Sequence, residues 1–232
     1  MSVTAVTFDV GNTLLTPAVS EADVFVAAAA EVAAQLDTLQ VERFMPLVYE
    51  RYEELYEQDD SFWADDERAT AIWLEMYGYL CELVGLGDYA SRIAPMVHKV
   101  FFRSDYWRPF DDVMPVLDEL KQRGIRMGLI SNWDNSLADI ISGTGLSGYF
   151  GSVLSSSVVR MHKPQPGIFH LALAELGALP AETVHVGDHL QADVGGALAS
   201  GIRPVLIDRD HKHTNSNAPT IITDLRQLLE LI

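Results

Sequence analysis

Apolar positions along this chain follow two different rhythms. In the first, short runs rich in β-branched residues end at a polar one. "AVTFDV" ends at Asp9, and "IRMGLIS" (125–131), "GSVLSS" (151–156), "TVHVGD" (183–188) and "IRPVLID" (202–208) share its character. Short apolar runs bounded by turn formers predict buried strands. Stretches with helical spacing precede the later runs, at 111–123, 134–146, 166–177 and 189–200. Strands alternating with helices predict parallel crossovers and an open α/β sheet, with its site at the carboxyl ends of the strands. Asp9, Ser131 and Asp188 all fall at such ends.

The second rhythm occupies residues 17–106, where no convincing strand occurs. Apolar residues recur at helical spacing, first at Val24, Ala28, Val32 and Leu36, then at Leu47, Tyr52, Leu55 and Tyr56. Further helices are predicted at 66–86 and 88–103, giving about four in all. The tyrosines are expected to pack between these helices. "WRPFDDVMP" carries the chain back, and the polar stretch "DRDHKHTNSNAPT" (208–220) predicts a surface loop. The expected organisation is therefore a Rossmann-like core from residues 1–16 and 107–232, with an inserted helical cap at 17–106 lying over the strand ends.

Charge sharpens this division. The 232 residues carry a formal net charge of −17. Residues 17–106 hold 18 acidic against 6 basic side chains, and the remainder 15 against 10. Nucleic acid and anionic membrane both require a positive field, so neither is an expected partner. The single cysteine, Cys81, has no internal disulfide partner and sits in the apolar stretch "YLCELVGL", which predicts a buried thiol. No basic leader with a cleavable apolar stretch opens the sequence, and no run approaches the ~20 apolar residues of a membrane span. The best candidate, "VFVAAAAEVAA", is interrupted by Glu31. These features predict a cytosolic protein; they leave its oligomeric state open.

Four short pieces, "FDVGNTL", "LISNWD", "HKPQPGIF" and "VGDHLQAD", occur in order at or near the predicted strand ends. The set resembles the four motifs of the haloacid dehalogenase-like hydrolases, and the resemblance covers essentially the whole chain. The helical insertion after the first motif is similar to that of the subclass with an α-helical cap. "DVGNTL", "WLEMY", "ISNWD" and "HVGDHLQAD" together resemble a subgroup of capped hydrolases related to a rhythmically expressed insect protein. That subgroup has no generally agreed substrate.

The residues themselves point to a mechanism. A carboxylate attacks phosphorus or carbon when its electrophile is held in line and neighbouring charge is neutralised. Asp9 is the candidate nucleophile; capping of the following turn is the alternative. Ser131 and Asn132 follow a strand, where a hydroxyl, an amide and free N–H groups can hold an oxyanion, or simply form a turn. The resemblance implies that Lys163 neutralises the nucleophile and the transferring group. It also implies Mg2+ held by Asp9, the backbone carbonyl of Gly11 and Asp188. Gly11 and Asn12 would join Ser131, Asn132 and Lys163 around the substrate. Thr13 and Asp193 would support the site, with direct metal contact by Asp193 left open.

Gly11 departs from the phosphatase pattern, in which an aspartate two residues after the nucleophile protonates the leaving alkoxide. Loss of a placed acid or base costs about 10²–10⁴ in rate. One expectation is a Mg2+-dependent hydrolase of weak or selective activity, acting on a small phosphorylated compound through an aspartyl-phosphate at Asp9. Phenolic and acyl phosphates, with better leaving groups, would suit it. A second is a replacement acid, for which His189, His98 and Asp134 are candidates. A third is a regulatory member that binds metal and phosphoryl without turnover. A 2-haloacid dehalogenase remains a further alternative, although the glycine–aspartate pattern at 187–188 weighs against it.

Overall fold

The computed structural model describes residues 2–213 and 218–232. Its organising element is a six-stranded parallel sheet. Five strands come from the predicted runs: β1 (Ala5–Phe8), β4 (Arg126–Ser131), β5 (Ser152–Ser155), β6 (Thr183–Gly187) and β7 (Arg203–Ile207). A two-residue strand, β8 (Ile221–Ile222), completes the order β5–β4–β1–β6–β7–β8. The order reverses direction around β1, which places a crevice beyond the carboxyl ends of β4, β1 and β6.

Burial explains why these runs become strands. Every residue of β1 is buried, and Val6, Phe8, Leu129, Val184, Val186 and Val205 belong to one apolar cluster with α6 (Val113–Gln122) and α7 (Leu137–Gly143). Helix α9 (Pro166–Leu176) covers the opposite face through Ile168, Phe169, Ala172 and Leu173, packed against Ile130 and Leu154. A sheet buried on both faces is why the strands read as continuous apolar runs and not as alternating ones.

Between β1 and β4 the chain is helical except for a small antiparallel pair. β2 (Leu15–Pro17) and β3 (Trp107–Pro109) pair where the insertion leaves the sheet and where it returns. Both flanks of the insertion are thereby tied together. Within it lie α1 (Glu21–Ala30), α2 (Thr38–Glu42), α3 (Met45–Gln58), α4 (Asp66–Leu83) and α5 (Ala90–Phe101). They surround a second apolar cluster that includes Phe25, Val41, Met76, Leu80, Cys81, Ile93 and Val97. Cys81 is fully buried there, and burial pushes its thiol up to about 11.

Several sequence expectations are corrected. The stripe from Val24 to Leu36 does not form one helix: α1 stops at Ala30, and the chain turns through Ala33 at φ 60°. Leu47, read as inward-facing, is 41% exposed on α3. The region 189–200 is not a regular helix. It opens with a wide π-type turn (Leu190–Gly195) and only then becomes α10 (Gly196–Ala199). A short helix, α8 (Ser156–Val159), follows β5 without having been anticipated. Of the predicted loop at 208–220, residues 214–217 lie outside the described residues. No helix among the described residues is long and apolar enough to cross a membrane.

Candidate active site at the strand ends

Three adjacent strands deliver the polar cluster. Asp9 follows β1, Ser131 ends β4 and Asp188 follows β6. Lys163 arrives from the loop between α8 and α9 and is only 2% exposed. Its ammonium nitrogen lies 2.6 Å from Asp9 Oδ1 and 2.5 Å from Asp193 Oδ1. Ser131 Oγ donates to the same Asp9 oxygen at 3.1 Å. Asn132 holds the lysine backbone from both sides: its Oδ1 accepts the Lys163 N–H at 2.8 Å, and its Nδ2 donates to the Lys163 carbonyl at 3.0 Å. The first, second, third and fourth motif segments therefore meet.

Asp193 is fully engaged. Its Oδ1 takes Lys163 and also His185 Nε2 at 3.1 Å, and its Oδ2 accepts the His189 N–H at 3.0 Å. An ionised Asp193 makes Nε2 the protonated nitrogen of His185, so Nδ1 accepts from the Thr7 hydroxyl, 2.9 Å away. The wide turn at Leu190–Gly195 brings Asp193 back under the strand end. His189 Nδ1 accepts the N–H groups of Gln191 and Ala192, which fixes the start of that turn. Gly187 is required by the same approach, because a Cβ there would lie 2.1 Å from Asp193 Cγ.

The electrostatics of the cluster are unbalanced. Carboxylate oxygens of Asp9, Asp188 and Asp193 all lie within 4.8 Å of one another, against the single ammonium of Lys163. Burial, reinforced by Asp9 and Asp193, holds the Asp188 carboxyl well above the usual carboxylate range. Asp193 goes the other way: burial would raise it, but Lys163 and His185 hold it below that range. Burial would lower Lys163, and the two carboxylates outweigh it and keep the ammonium charged. No hydrogen bond reaches Asp9 Oδ2, and no side chain donates to Asp188, among the described residues. Ionising all three carboxyls against one ammonium would leave a deficit of two positive charges, with free oxygens on Asp9 and Asp188. A hard divalent cation fits that donor set.

The loop after β1 is held from below. Asn12 adopts a left-handed conformation (φ 53°), which asparagine tolerates better than most residues, and its N–H donates to Leu15 O at 2.8 Å. Arg209 donates to the Thr13 carbonyl from Nη2 (2.7 Å) and Nε (3.2 Å), pairs with both oxygens of Asp112 (2.9 and 3.1 Å), and lies 3.7 Å over the Phe110 ring. Sequence reasoning missed this clamp, since nothing in the spacing of positions 13, 112 and 209 signals it. The Thr13 hydroxyl, placed in the supporting set, is buried with no hydrogen-bond partner among the described residues.

Gly11 lies beside an indole ring. A Cβ at this position would meet Trp133 Cζ3 at 3.4 Å. The indole is fixed by a hydrogen bond from its Nε1 to Ser136 Oγ (3.1 Å) and by an edge contact with Trp107 (4.9 Å between centroids). Of the candidate replacement acids, His98 and Asp134 influence each other's charge and make no hydrogen bond to the Asp9 cluster. Burial lowers His98 and raises Asp134. His189 lies beside the cluster, with Nδ1 committed to backbone.

The helical insertion touches this site from above. Tyr56 on α3 packs against the His189 ring at 5.5 Å. Asp66, at the start of α4, accepts from Asn135 N (3.0 Å) and Nδ2 (2.7 Å), and Ser156 Oγ donates to the Trp63 carbonyl at 2.6 Å.

Comparison with known proteins agrees with this geometry. The sequence profile described as "Hydrolase: haloacid dehalogenase-like hydrolase" matches residues 3–201. The chain is 29% identical over 219 residues to "Haloacid dehalogenase-like hydrolase domain-containing protein 3" of Danio rerio, covering 92% of this chain and 89% of that protein. It is 32% identical over 138 residues to "Glyceraldehyde 3-phosphate phosphatase" of Methanothermobacter thermautotrophicus, covering 54% of this chain and 59% of that one. Among solved structures, a 2-haloacid dehalogenase from Pseudomonas syringae is 25% identical, with a TM-score of 0.65 over 99% of this chain and 97% of that one. With the profile spanning most of its length and the four motifs joined at one site, the chain belongs to the haloacid dehalogenase-like hydrolase family.

Proposed function

We propose that the protein hydrolyses a small phosphorylated compound in a Mg2+-dependent reaction through an aspartyl-phosphate at Asp9. The observation that carries this reading is the position of Lys163 Nζ, within hydrogen-bonding distance of both Asp9 and Asp193 and beside the uncompensated Asp188. Asp9 Oδ2 and Asp188, with the Gly11 carbonyl, would hold the Mg2+. Bound there, Mg2+ supplies charge neutralisation and orientation of a phosphoryl oxygen. Asp193 is saturated by its own partners and acts through them, fixing Lys163 and the turn after β6.

The chain's own residues then divide the work. Asp9 attacks phosphorus through the carboxylate oxygen that does not face the cation, and Lys163 and Ser131 hold Oδ1 in place. Lys163, Ser131, Asn132 and the N–H groups of the Gly11–Asn12 turn hold the oxygens on which charge accumulates. Residues 17–106 serve as a cap that excludes water when closed. Similarity to a named phosphatase over half the chain supports phosphorus over carbon as the electrophile, as does the surplus of negative charge, which needs a cation.

A panel of phosphate esters assayed with Mg2+ and with chelator tests this. Turnover of phenolic or acyl phosphates is expected with Mg2+. Chelator should abolish it, and Asp9→Asn should lower it by at least about 10⁴-fold. Halide release from 2-haloacids in chelator, without phosphate release under any condition, would replace this reading with dehalogenation. A stable beryllofluoride adduct with no turnover of any ester would favour a binding role.

A further inference from the structure

Transfer of a phosphoryl group to Asp9 leaves an alkoxide or phenoxide that needs a proton, and position 11 has no side chain to give one. The Trp133 ring lies at ordinary contact distance from where a Cβ at position 11 would sit. The donor must therefore approach from elsewhere. Among the described residues, four buried hydroxyls lack a hydrogen-bond partner: Thr13, Tyr56, Tyr106 and Ser152. Ser152 begins β5, at the opposite end of the sheet from the site. Tyr106 lies in the apolar cluster of the helical insertion, with Phe101 and Trp107 against its ring. Thr13 is fully buried in the loop whose carbonyl Arg209 clamps. Tyr56 alone combines an unpartnered hydroxyl with a ring contact to a residue of the fourth motif.

We propose that the Tyr56 hydroxyl, presented from α3, donates to the leaving-group oxygen and does the work of the carboxylate absent at position 11. This rests on the phosphoryl-transfer reading above. Tyr56 is 5% exposed, so its orphan hydroxyl is expensive to maintain unless something polar arrives to meet it. Its neighbour one turn earlier, Tyr52, is already engaged by Trp63 Nε1 at 3.1 Å. Burial, with Asp60 adding to it, pushes the Tyr56 phenol upward, while Lys163 is the charge that favours its ionised form. The group is thus protonated at neutral pH and able to donate.

The protons balance over a cycle. Asp9 displaces the leaving oxygen from phosphorus as the P–O bond breaks, and that oxygen takes the Tyr56 proton. Water then attacks the aspartyl-phosphate and gives one proton to the tyrosinate, releasing inorganic phosphate and restoring Asp9 and Tyr56. No oxidant, reductant or further reactant is needed.

Tyr56→Phe separates this role from a packing role. With Mg2+ present, kcat/KM should fall by about 10²-fold for alkyl phosphates and by only a few-fold for nitrophenyl phosphate, whose leaving group needs little help. The dependence of rate on leaving-group pKa should steepen accordingly. The thermal midpoint should stay level or rise, because the variant discards a buried, unpartnered hydroxyl. A uniform loss across the series, or none, overturns the assignment.

Should the wild-type protein hydrolyse no ester, the phosphatase reading fails, and Tyr56 is judged by binding. Vanadate carries an apical oxygen where the leaving group would stand, and beryllofluoride does not. Tyr56→Phe should weaken vanadate binding about 10-fold and leave beryllofluoride within about 2-fold. Equal effects on both, or no vanadate binding by wild type, would overturn the proposal.

Discussion

The strand ends and the helical roof above them are held in place by different means. At the strand ends, Lys163 and Asp193 each have several partners and little freedom. Lys163 is fixed at its backbone by Asn132 and at its ammonium by two carboxylates. Asp193 is fixed by Lys163, His185 and a backbone N–H. The roof contributes aromatic rings, Tyr52, Tyr56, Phe62, Trp63 and Trp73, that pack on one another. It is joined to the core by a few hydrogen bonds, of which those between Asp66 and Asn135 are the clearest. The difference teaches a division of labour. On the proposed function, chemistry that depends on sub-ångström placement sits on the buried sheet, and the helical insertion would open and close over it.

Breaking the strand-end network should have the larger effect on stability. Lys163→Met leaves Asp9 and Asp193 buried without their cation. Removing one partner of a buried pair typically costs about 3–5 kcal/mol. Urea unfolding of the metal-free protein should register a loss of that size. A loss below about 1 kcal/mol would show that the ammonium is not structurally committed.

Breaking the roof attachment should be milder and should register elsewhere. Asp66→Ala removes two hydrogen bonds at an exposed junction, worth together about 1–2 kcal/mol. The global unfolding midpoint should move little. Small-angle scattering should show a more open average shape, and KM should rise about 10-fold with kcat less affected. An equal fall in global stability would mean that core and roof are one cooperative unit, and the contrast would dissolve.

The two regions were also unequally legible in sequence. Asp9, Ser131 and Asp188 stand at or just past strand ends, and strand ends follow from where a buried apolar run stops. A reader of the sequence can therefore place them without knowing any contact. Lys163 and Asp193 were legible through motif resemblance, but their mutual contact was not. The Trp133 ring over Gly11 depends on a side chain reaching across from the loop after β4, which no local periodicity encodes. Arg209 under Thr13 is the same kind of contact, spanning nearly the whole chain.

The roof was read coarsely for a related reason. Helix-forming residues between Ala27 and Ala30 give no hint that α1 stops there, and Ala33, exposed at φ 60°, has no turn-forming side chain to mark the reversal. The β2–β3 pair was missed because each strand has only three residues, too few to establish alternation. Tyr56 was expected among the residues packing between helices. It does pack, with Tyr52 and Phe62; its ring also touches His189 of the fourth motif, and its hydroxyl has no partner among the described residues. Sequence cannot separate those roles, since both need an aromatic ring on the same face of α3.

On the proposed mechanism Asp9 attacks phosphorus, and the resulting intermediate is opened at phosphorus in turn. A single turnover in heavy-oxygen water, with excess enzyme over substrate, tests it directly. Mass spectrometry should find a phosphoryl group on the Asp9 peptide of enzyme quenched during the turnover, and afterwards the label in released phosphate with the Asp9 carboxylate unlabelled; label in phosphate with no Asp9 adduct would mean that water attacks the substrate directly. Label incorporated into Asp9 would mean that water attacks the carboxyl carbon of an ester intermediate, and would contradict the account.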